Sequence, residues 1–203
     1  MINRLNKYYR FLYKKALWQM PGDKKIVYLT FDDGPHPMAT PFVLDILKKY
    51  NLKASFFCIG KNIVQYPELF NRIIKEGHAL GNHTYNHLNG LKVSNDQYFS
   101  DYEKCQKLYP FTYFRPPYGR MSLRQMQYLS GKTKIVMWSI LTKDYDQNIS
   151  PEYALQTIQK NIKPGSIIVY HDSEKAFNNL SFSLERSIKF LLNNQYEFKA
   201  LPV

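Results

Sequence analysis

Cysteine is almost missing from this 203-residue chain: Cys58 and Cys105 are the only two. They fall in an apolar strand-like run and a helix-like run, which reads as two buried free thiols rather than a disulfide and leaves the redox compartment open. No stretch approaches the ~18 consecutive apolar residues of a membrane span, and the N-terminus lacks the apolar core of about 7 to 15 residues that marks a signal peptide. The expected location is therefore open between the cytoplasm and the periphery of the cell membrane. No internal repeat, low-complexity tract or Gly/Ser-rich linker divides the chain. Acidic residues are scarce, 16 against 28 Lys and Arg, for a net charge of +12.

What is present is ordinary globular material. Apolar residues make up 44% and charged residues 22%, a balance that argues against disorder. The length suits one domain with a proper core and is short for two. Half of the charge excess lies in residues 1–25, where Arg4, Lys7, Arg10, Lys14, Lys15, Lys24 and Lys25 face only Asp23. Leu5, Tyr8, Tyr9, Leu12 and Ala16 recur there at helical spacing. Such a segment suits either a helix lying on an anionic membrane surface, giving a peripheral contact through residues 1–20, or a helix packed on the domain with solvated lysines. We treat residues 1–24 as a basic amphipathic segment and residues 25–203 as the domain proper.

Strand-like runs at Lys25–Asp32, Lys53–Ile59, His78–His83, Thr112–Arg115, Lys134–Ile140, Ser166–His171 and Tyr196–Leu201 alternate with six amphipathic helical patterns. Thr40-Pro41 and Ser150-Pro151 place a cap before a proline, and Ser94 with Gln97 and Ser122 with Gln125 read as capping boxes. Gly77, Gly131 and Gly165 stand just past helix ends, where a left-handed residue is wanted. This alternation implies a parallel sheet covered by helices, either open or closed into a barrel, and in both forms ligands bind at the carboxyl ends of the strands.

The chemistry-bearing residues gather at those ends. Asp32 and Asp33 close the first strand in TFDDGP. Adjacent carboxylates repel unless a cation or an arginine separates them, one on a metal and one free to take a proton; alone, the pair would read as a cap or turn. His83 and His87 in HTYNH are spaced so that a helical turn or tight loop lets two imidazoles share a metal, although such a pair is also common on surfaces. Added to one aspartate they make a His₂-Asp set with coordination positions left for water and substrate. Arg115 in FRPPYG precedes two prolines that fix the backbone, and its partner should be a carboxylate. His171 ends the sixth run, where an imidazole can act as an acid if a carboxylate such as Asp144 stabilises its charge. His78 lies at the other end of its strand and reads as structural; His36 reads as part of the site rim.

With these segments in hand, the sequence resembles the polysaccharide deacetylases with the NodB homology domain, also called carbohydrate esterase family 4, from about Lys25 to the C-terminus. TFDDGP, HTYNH, RPPYG, a Trp-containing strand ending near Asp144 and a late strand ending in histidine stand in the family's order. The resemblance implies a single-domain α/β fold, a deformed (β/α) barrel with about seven parallel strands. It implies Asp32 as catalytic base, Asp33, His83 and His87 as metal ligands, His171 as general acid, Arg115 orienting Asp32 and Asp144 tuning His171. It also implies that Tyr118 offers its backbone N–H to the oxyanion, a role nothing else in the sequence suggests. The implied cofactor is a divalent metal ion, zinc first, with cobalt, nickel or manganese as substitutes. Two motifs depart from the family: its DxxDW is Leu141 to Tyr145 here, with Leu141 for the first Asp and Tyr145 for the Trp, and its Leu-x-His is Val169-Tyr170-His171.

The expected activity is removal of N-acetyl groups from amino sugars of a peptidoglycan- or chitin-like N-acetylglucosamine polysaccharide by a monomeric hydrolase of the cell envelope. Two alternatives stay open: deacetylation or deformylation of a lipid-linked amino sugar, and a catalytically silent glycan-binding protein on the same fold. A nucleic-acid partner is not expected, since only the net charge speaks for one.

Overall fold

A computed structural model describes residues 10–202. Leu5, Tyr8 and Tyr9 of the basic segment lie outside the described residues. Leu12 and Ala16 pack with Tyr13 and Trp18 against Met121, Met126 and Met137 of the domain. Residues 17–20 then bridge the sheet, Leu17 beside Val136 and Gln19 beside Ser166.

The strands are β1 (Ile26–Asp32), β2 (Ser55–Cys58), β3 (Ala79–Asn82), β4 (Tyr113–Phe114), β5 (Lys134–Ile135), β6 (Ile140–Leu141), β7 (Ile167–His171) and β8 (Glu197–Phe198). Between them stand α1 (Ala39–Lys49), α2 (Gly60–Gln65), α3 (Pro67–Lys75), α4 (Asn95–Gln106), α5 (Leu123–Ser130), α6 (Tyr153–Asn161) and α7 (Phe177–Asn193). The predicted second helical pattern is divided because Pro67 opens α3, which forces Tyr66 out of helical geometry at φ −128° and ψ 59°. Both capping boxes are present, on Ser94 with Gln97 and on Ser122 with Gln125.

Three expectations about helix ends are corrected. Helix α1 begins at Ala39, one residue before Thr40, because His36 Nδ1 accepts from the Met38 and Ala39 amides and takes over the capping task. His36 is also not among the residues that line the cleft, so it is not part of the site rim. Helix α6 starts at Tyr153, after a turn in which the Ser150 hydroxyl engages Glu152. Gly77 and Gly165 are left-handed at φ 74° and 76°, but Gly131 ends α5 at φ −83° and needs no glycine conformation.

All pairings between these strands are parallel, in the order β5-β4-β3-β2-β1-β7-β6, with β8 on the first residues of β1. The predicted run Lys134–Ile140 was expected as one strand and proves to be two. Its start pairs with β4 and its end with β7, at the two extremes of the order. Residues 136–139 therefore tie the first and last strands of that order together, and the sheet curls into a deformed barrel with a seam that residues 17–20 also bridge.

Strand parity decides what faces where. Val27, Leu29 and Phe31 on β1 point outward and pack with Val43, Leu47, Leu184 and Ile188 of the flanking helices. Tyr28 points inward to Phe57, Tyr113, Val136 and Ile167, which plug the barrel at its lower end. Thr30 and Asp32 continue the inward row toward the carboxyl ends, so the barrel becomes polar where β1 terminates.

Candidate active site and metal centre

Asp32 is the last residue of β1 and lies in register with His171 on β7. Strand alternation would send Asp33 to the opposite face, but its left-handed backbone, φ 83°, turns it back into the same pocket. Aspartate tolerates that region better than most residues do. The turn is held from below: Gly34 N–H donates to Asp172 Oδ1 at 3.1 Å and the Thr40 hydroxyl donates to Asp172 Oδ2 at 2.5 Å. A Cβ at position 34 would meet Asp172 Oδ2 at 2.0 Å, so only glycine fits there. Burial pushes the Asp172 carboxyl up to about 8, with its hydrogen bonds pulling the other way.

His83 and His87 sit in a loop rather than on a helical turn, with Thr84 and His87 both left-handed at φ 60°. Asp101 of α4 holds that loop by accepting from the Tyr85 and Asn86 amides at 3.0 and 2.9 Å and from the Asn86 side chain at 2.5 Å. His83 Nδ1 donates to the Arg115 carbonyl at 2.7 Å, which leaves Nε2 bare and fixes the tautomer a metal ligand needs. Burial pushes His83 down to about 4 against the pull of Asp32, so the ring is neutral.

Asp33 Oδ1 is buried without a hydrogen bond of good geometry, 3.2 Å from His87 Nε2 and 3.6 Å from His83 Nε2. Burial raises the Asp33 carboxyl, but His87, His171 and His83 outweigh it and hold the group well below the usual carboxylate range. An orphaned carboxylate oxygen facing two imidazole nitrogens, all within 4.8 Å of one another, is a donor set that fits a divalent cation. These three residues could hold a metal ion.

Arg115 is fully buried in the barrel seam. Its guanidinium donates to Asp32 Oδ1 at 2.6 Å, to the Thr30 hydroxyl at 2.8 Å, and to the Val136 and Met137 carbonyls at 3.2 and 2.9 Å. It also lies 4.0 Å over the Phe57 ring. One side chain thereby orients Asp32 and fills the gap that the split fifth run leaves.

Across the pocket, His171 Nδ1 donates to Asp144 Oδ1 at 2.7 Å and the His171 amide donates to Oδ2 at 2.8 Å. Burial would lower the His171 imidazole, but Asp144, with Asp33 and Asp32 beyond it, pushes it up to about 9. The ring is thus a cation at neutral pH, with Nε2 free to give a proton. Tyr145 stands edge-on to it at 4.9 Å, so this replacement for the family's tryptophan still walls the ring, and Leu141 lines the cleft without charge.

Asp32, Asp33, His83, His87, Tyr118 and His171 all line one cleft of about 630 Å³, while Arg115 and Asp144 lie behind it. Tyr118 is left-handed, φ 60°, with its ring 4.6 Å from that of His87. His78 is buried at the far end of β3, where Nδ1 accepts from the Ala54 amide. The sequence reading missed Thr30, Asp101 and Asp172. Thr30 carried a signal, since it shares parity with Asp32 inside an apolar run; the other two carried none.

The fold is a parallel α/β barrel, and this donor set is a candidate metal site at the carboxyl ends of its strands. The chain matches the polysaccharide deacetylase family over residues 19–133 and belongs to it. It is 38% identical over 160 residues to a peptidoglycan-N-acetylglucosamine deacetylase of Bacillus cereus, spanning 75% of this chain but only 58% of that relative. A second B. cereus protein of the same name is 32% identical over 190 residues, 89% of this chain and 88% of the relative. The crystal structure of a peptidoglycan N-acetylglucosamine deacetylase in complex with 4-naphthalen-1-yl-N-oxidanyl-benzamide superposes with a TM-score of 0.89 at 33% identity, covering 96% of this chain and 94% of the other. No helix among the described residues is long and apolar enough to cross a membrane.

Proposed function

We propose that this protein is a metal-dependent N-deacetylase acting on a polysaccharide that contains N-acetylglucosamine. The observation that carries the reading is the division of labour between neighbours: Asp32 is ion-paired with Arg115, while Asp33 lies within ion-pair distance of both His83 and His87. The names borne by the similar proteins support the substrate class.

A divalent cation on Asp33, His83 and His87, zinc by the chemistry of the ligands, would supply Lewis acidity toward the acyl carbonyl and lower the pKa of water to about 7. The chain's own residues do the rest. Asp32, held by Arg115, takes the proton from the attacking water. The Tyr118 amide stabilises the developing oxyanion. As the C–N bond breaks, His171 Nε2 gives its proton to the leaving amine, and the charge Asp144 holds on the ring keeps that proton available at neutral pH. Each such contribution is worth roughly 10²–10⁴ in rate.

The test is acetate release from N-acetylglucosamine oligomers by the purified chain loaded with zinc, with and without chelator. Chelator-sensitive release is expected. Its absence would leave a silent glycan binder as the better account.

A further inference from the structure

Residues 17–20 run ahead of β1 as a strap with no strand of their own, yet hydrogen bonds hold them at both ends. At one end the Leu17 amide donates to the Ile135 carbonyl at 2.8 Å, and the Leu17 carbonyl accepts from the Met137 amide at 2.7 Å. At the other the Met20 amide donates to the Gly165 carbonyl at 2.9 Å, and the Gln19 side chain donates to the Pro164 carbonyl at 2.7 Å. The approach is close enough that a Cβ at Gly165 would stand 2.0 Å from the Met20 carbonyl oxygen.

The stretch that Leu17 grips is the seam on which Arg115 rests. Val136 and Met137 are buried, so their backbone groups need partners within the protein. The Val136 amide donates to the Phe114 carbonyl at 2.8 Å and the Met137 amide donates to Leu17, while both carbonyls accept from Arg115. Met137 thus has Leu17 on its amide and Arg115 on its carbonyl, and the guanidinium has Asp32 on its other terminal nitrogen. The three bonds in this path from strap to carboxylate measure 2.7, 2.9 and 2.6 Å. Without Leu17 the Met137 amide would be buried and unpaired, and the seam would have to move to satisfy it. The guanidinium would follow its two carbonyls, because the donors of its planar fork are fixed relative to one another. Thr30 would not prevent this, since it shares the nitrogen that holds Asp32 and one nitrogen does not fix the plane of the fork.

Resting on the deacetylase reading, we propose that Leu17 is a positioning residue for the reaction, its main chain acting through Met137 and Arg115 to aim the Asp32 carboxylate at the attacking water. The strap therefore works with the domain that follows it, although its cations set it apart in the sequence.

Two substitutions in the full chain separate this role from packing. Leu17→Pro removes the amide hydrogen and disturbs the bridge to Val136 while keeping an apolar side chain. Leu17→Ala keeps both main-chain bonds and gives up packing against the cluster of Tyr28, Val136 and Ile167. With zinc loaded, Leu17→Pro should lose about 10- to 100-fold in kcat, the scale of a misplaced reacting group, at unchanged KM and zinc affinity. Expressing kcat per bound zinc removes any loss of folded chain. Leu17→Ala should lower Tm and keep kcat. In metal-free protein the Arg115 Nε–H, followed by NMR, should exchange with solvent faster in Leu17→Pro but not in Leu17→Ala. In an Asp32→Asn background Leu17→Pro should add no further loss of kcat, since no base remains to be aimed. If Leu17→Pro takes up no zinc, Gly165→Ala displaces the other end of the strap and should give the same fall in kcat and the same faster exchange. Wild-type kcat or unmoved Arg115 exchange in the variant that takes up zinc overturns the proposal. So do equal losses in Leu17→Ala and Leu17→Pro, or an undiminished loss in the Asp32→Asn background. Each of these outcomes leaves the deacetylase reading intact, whereas no acetate from the wild-type chain overturns both.

Discussion

Arg115 Nη1 lies 2.6 Å from Asp32 Oδ1, with both side chains shut away from solvent. The guanidinium spends its other donors on Thr30 and on two carbonyls of the barrel seam, so it cannot swing away to follow a substrate. Asp32 inherits that rigidity.

Replacing Asp32 tests its role as base. In Asp32→Asn the amide oxygen still accepts from Arg115, so the fold and the three metal ligands should persist. Zinc content by elemental analysis should match the wild type, while kcat falls by about 10²–10⁴. Wild-type turnover in this variant would reject the assignment.

The three candidate metal ligands depend on a residue outside the set. Asp101→Ala removes the acceptor for three hydrogen bonds that shape the loop between His83 and His87. Zinc affinity by competition titration should weaken by about 10- to 100-fold, the usual effect of losing such outer support. Zinc affinity equal to the wild type would mean the loop holds its shape alone.

His171 and Asp144 give a pH prediction. The folded value of His171, about 9, stands above the ordinary value of 6.5. In metal-free protein the protonated ring therefore contributes stability that is fully present below about 6.5 and fades as pH rises through about 9. Asp144→Asn removes the charge that raises it. The stability gap between wild type and variant, measured by urea unfolding, should shrink across that window, and the His171 resonance should titrate at lower pH in the variant. An unmoved titration would sever the pair.

Gly34→Ala places a methyl group 2.0 Å from Asp172 Oδ2, inside a turn that has no slack. The turn carrying Asp33 must shift, at a cost of about 1–3 kcal/mol. Thermal unfolding should report a lower Tm and zinc titration a weaker site. An unchanged Tm would show that Asp172 yields instead.

Much of this site was legible before any fold. The alternation of apolar runs and helices, the two capping boxes, and the collection of Asp32, Asp33, His83, His87, Arg115, Asp144 and His171 at strand ends are local patterns, written in the order of residues along the chain. Periodicity and capping act over three or four neighbours, so sequence states them directly, and in parallel α/β folds the carboxyl ends share one face. That is why the three candidate metal ligands and the proposed acid and base could be named together.

Tertiary structure decided the rest. The run Lys134–Ile140 shows that a strand's parity reveals its two faces but not its partners: its start belongs to β4 and its end to β7, because the curl of the whole sheet brought both within reach. Arg115 could be expected to find a carboxylate, but its bonds to Val136 and Met137 exist only once that seam exists. Asp101 and Asp172 carry no periodic mark, since a lone polar residue in a loop or on a helix reads as solvated until distant segments fold against it. Local order set the elements and the chemistry at their ends; long-range packing chose which of the remaining polar groups would meet that chemistry.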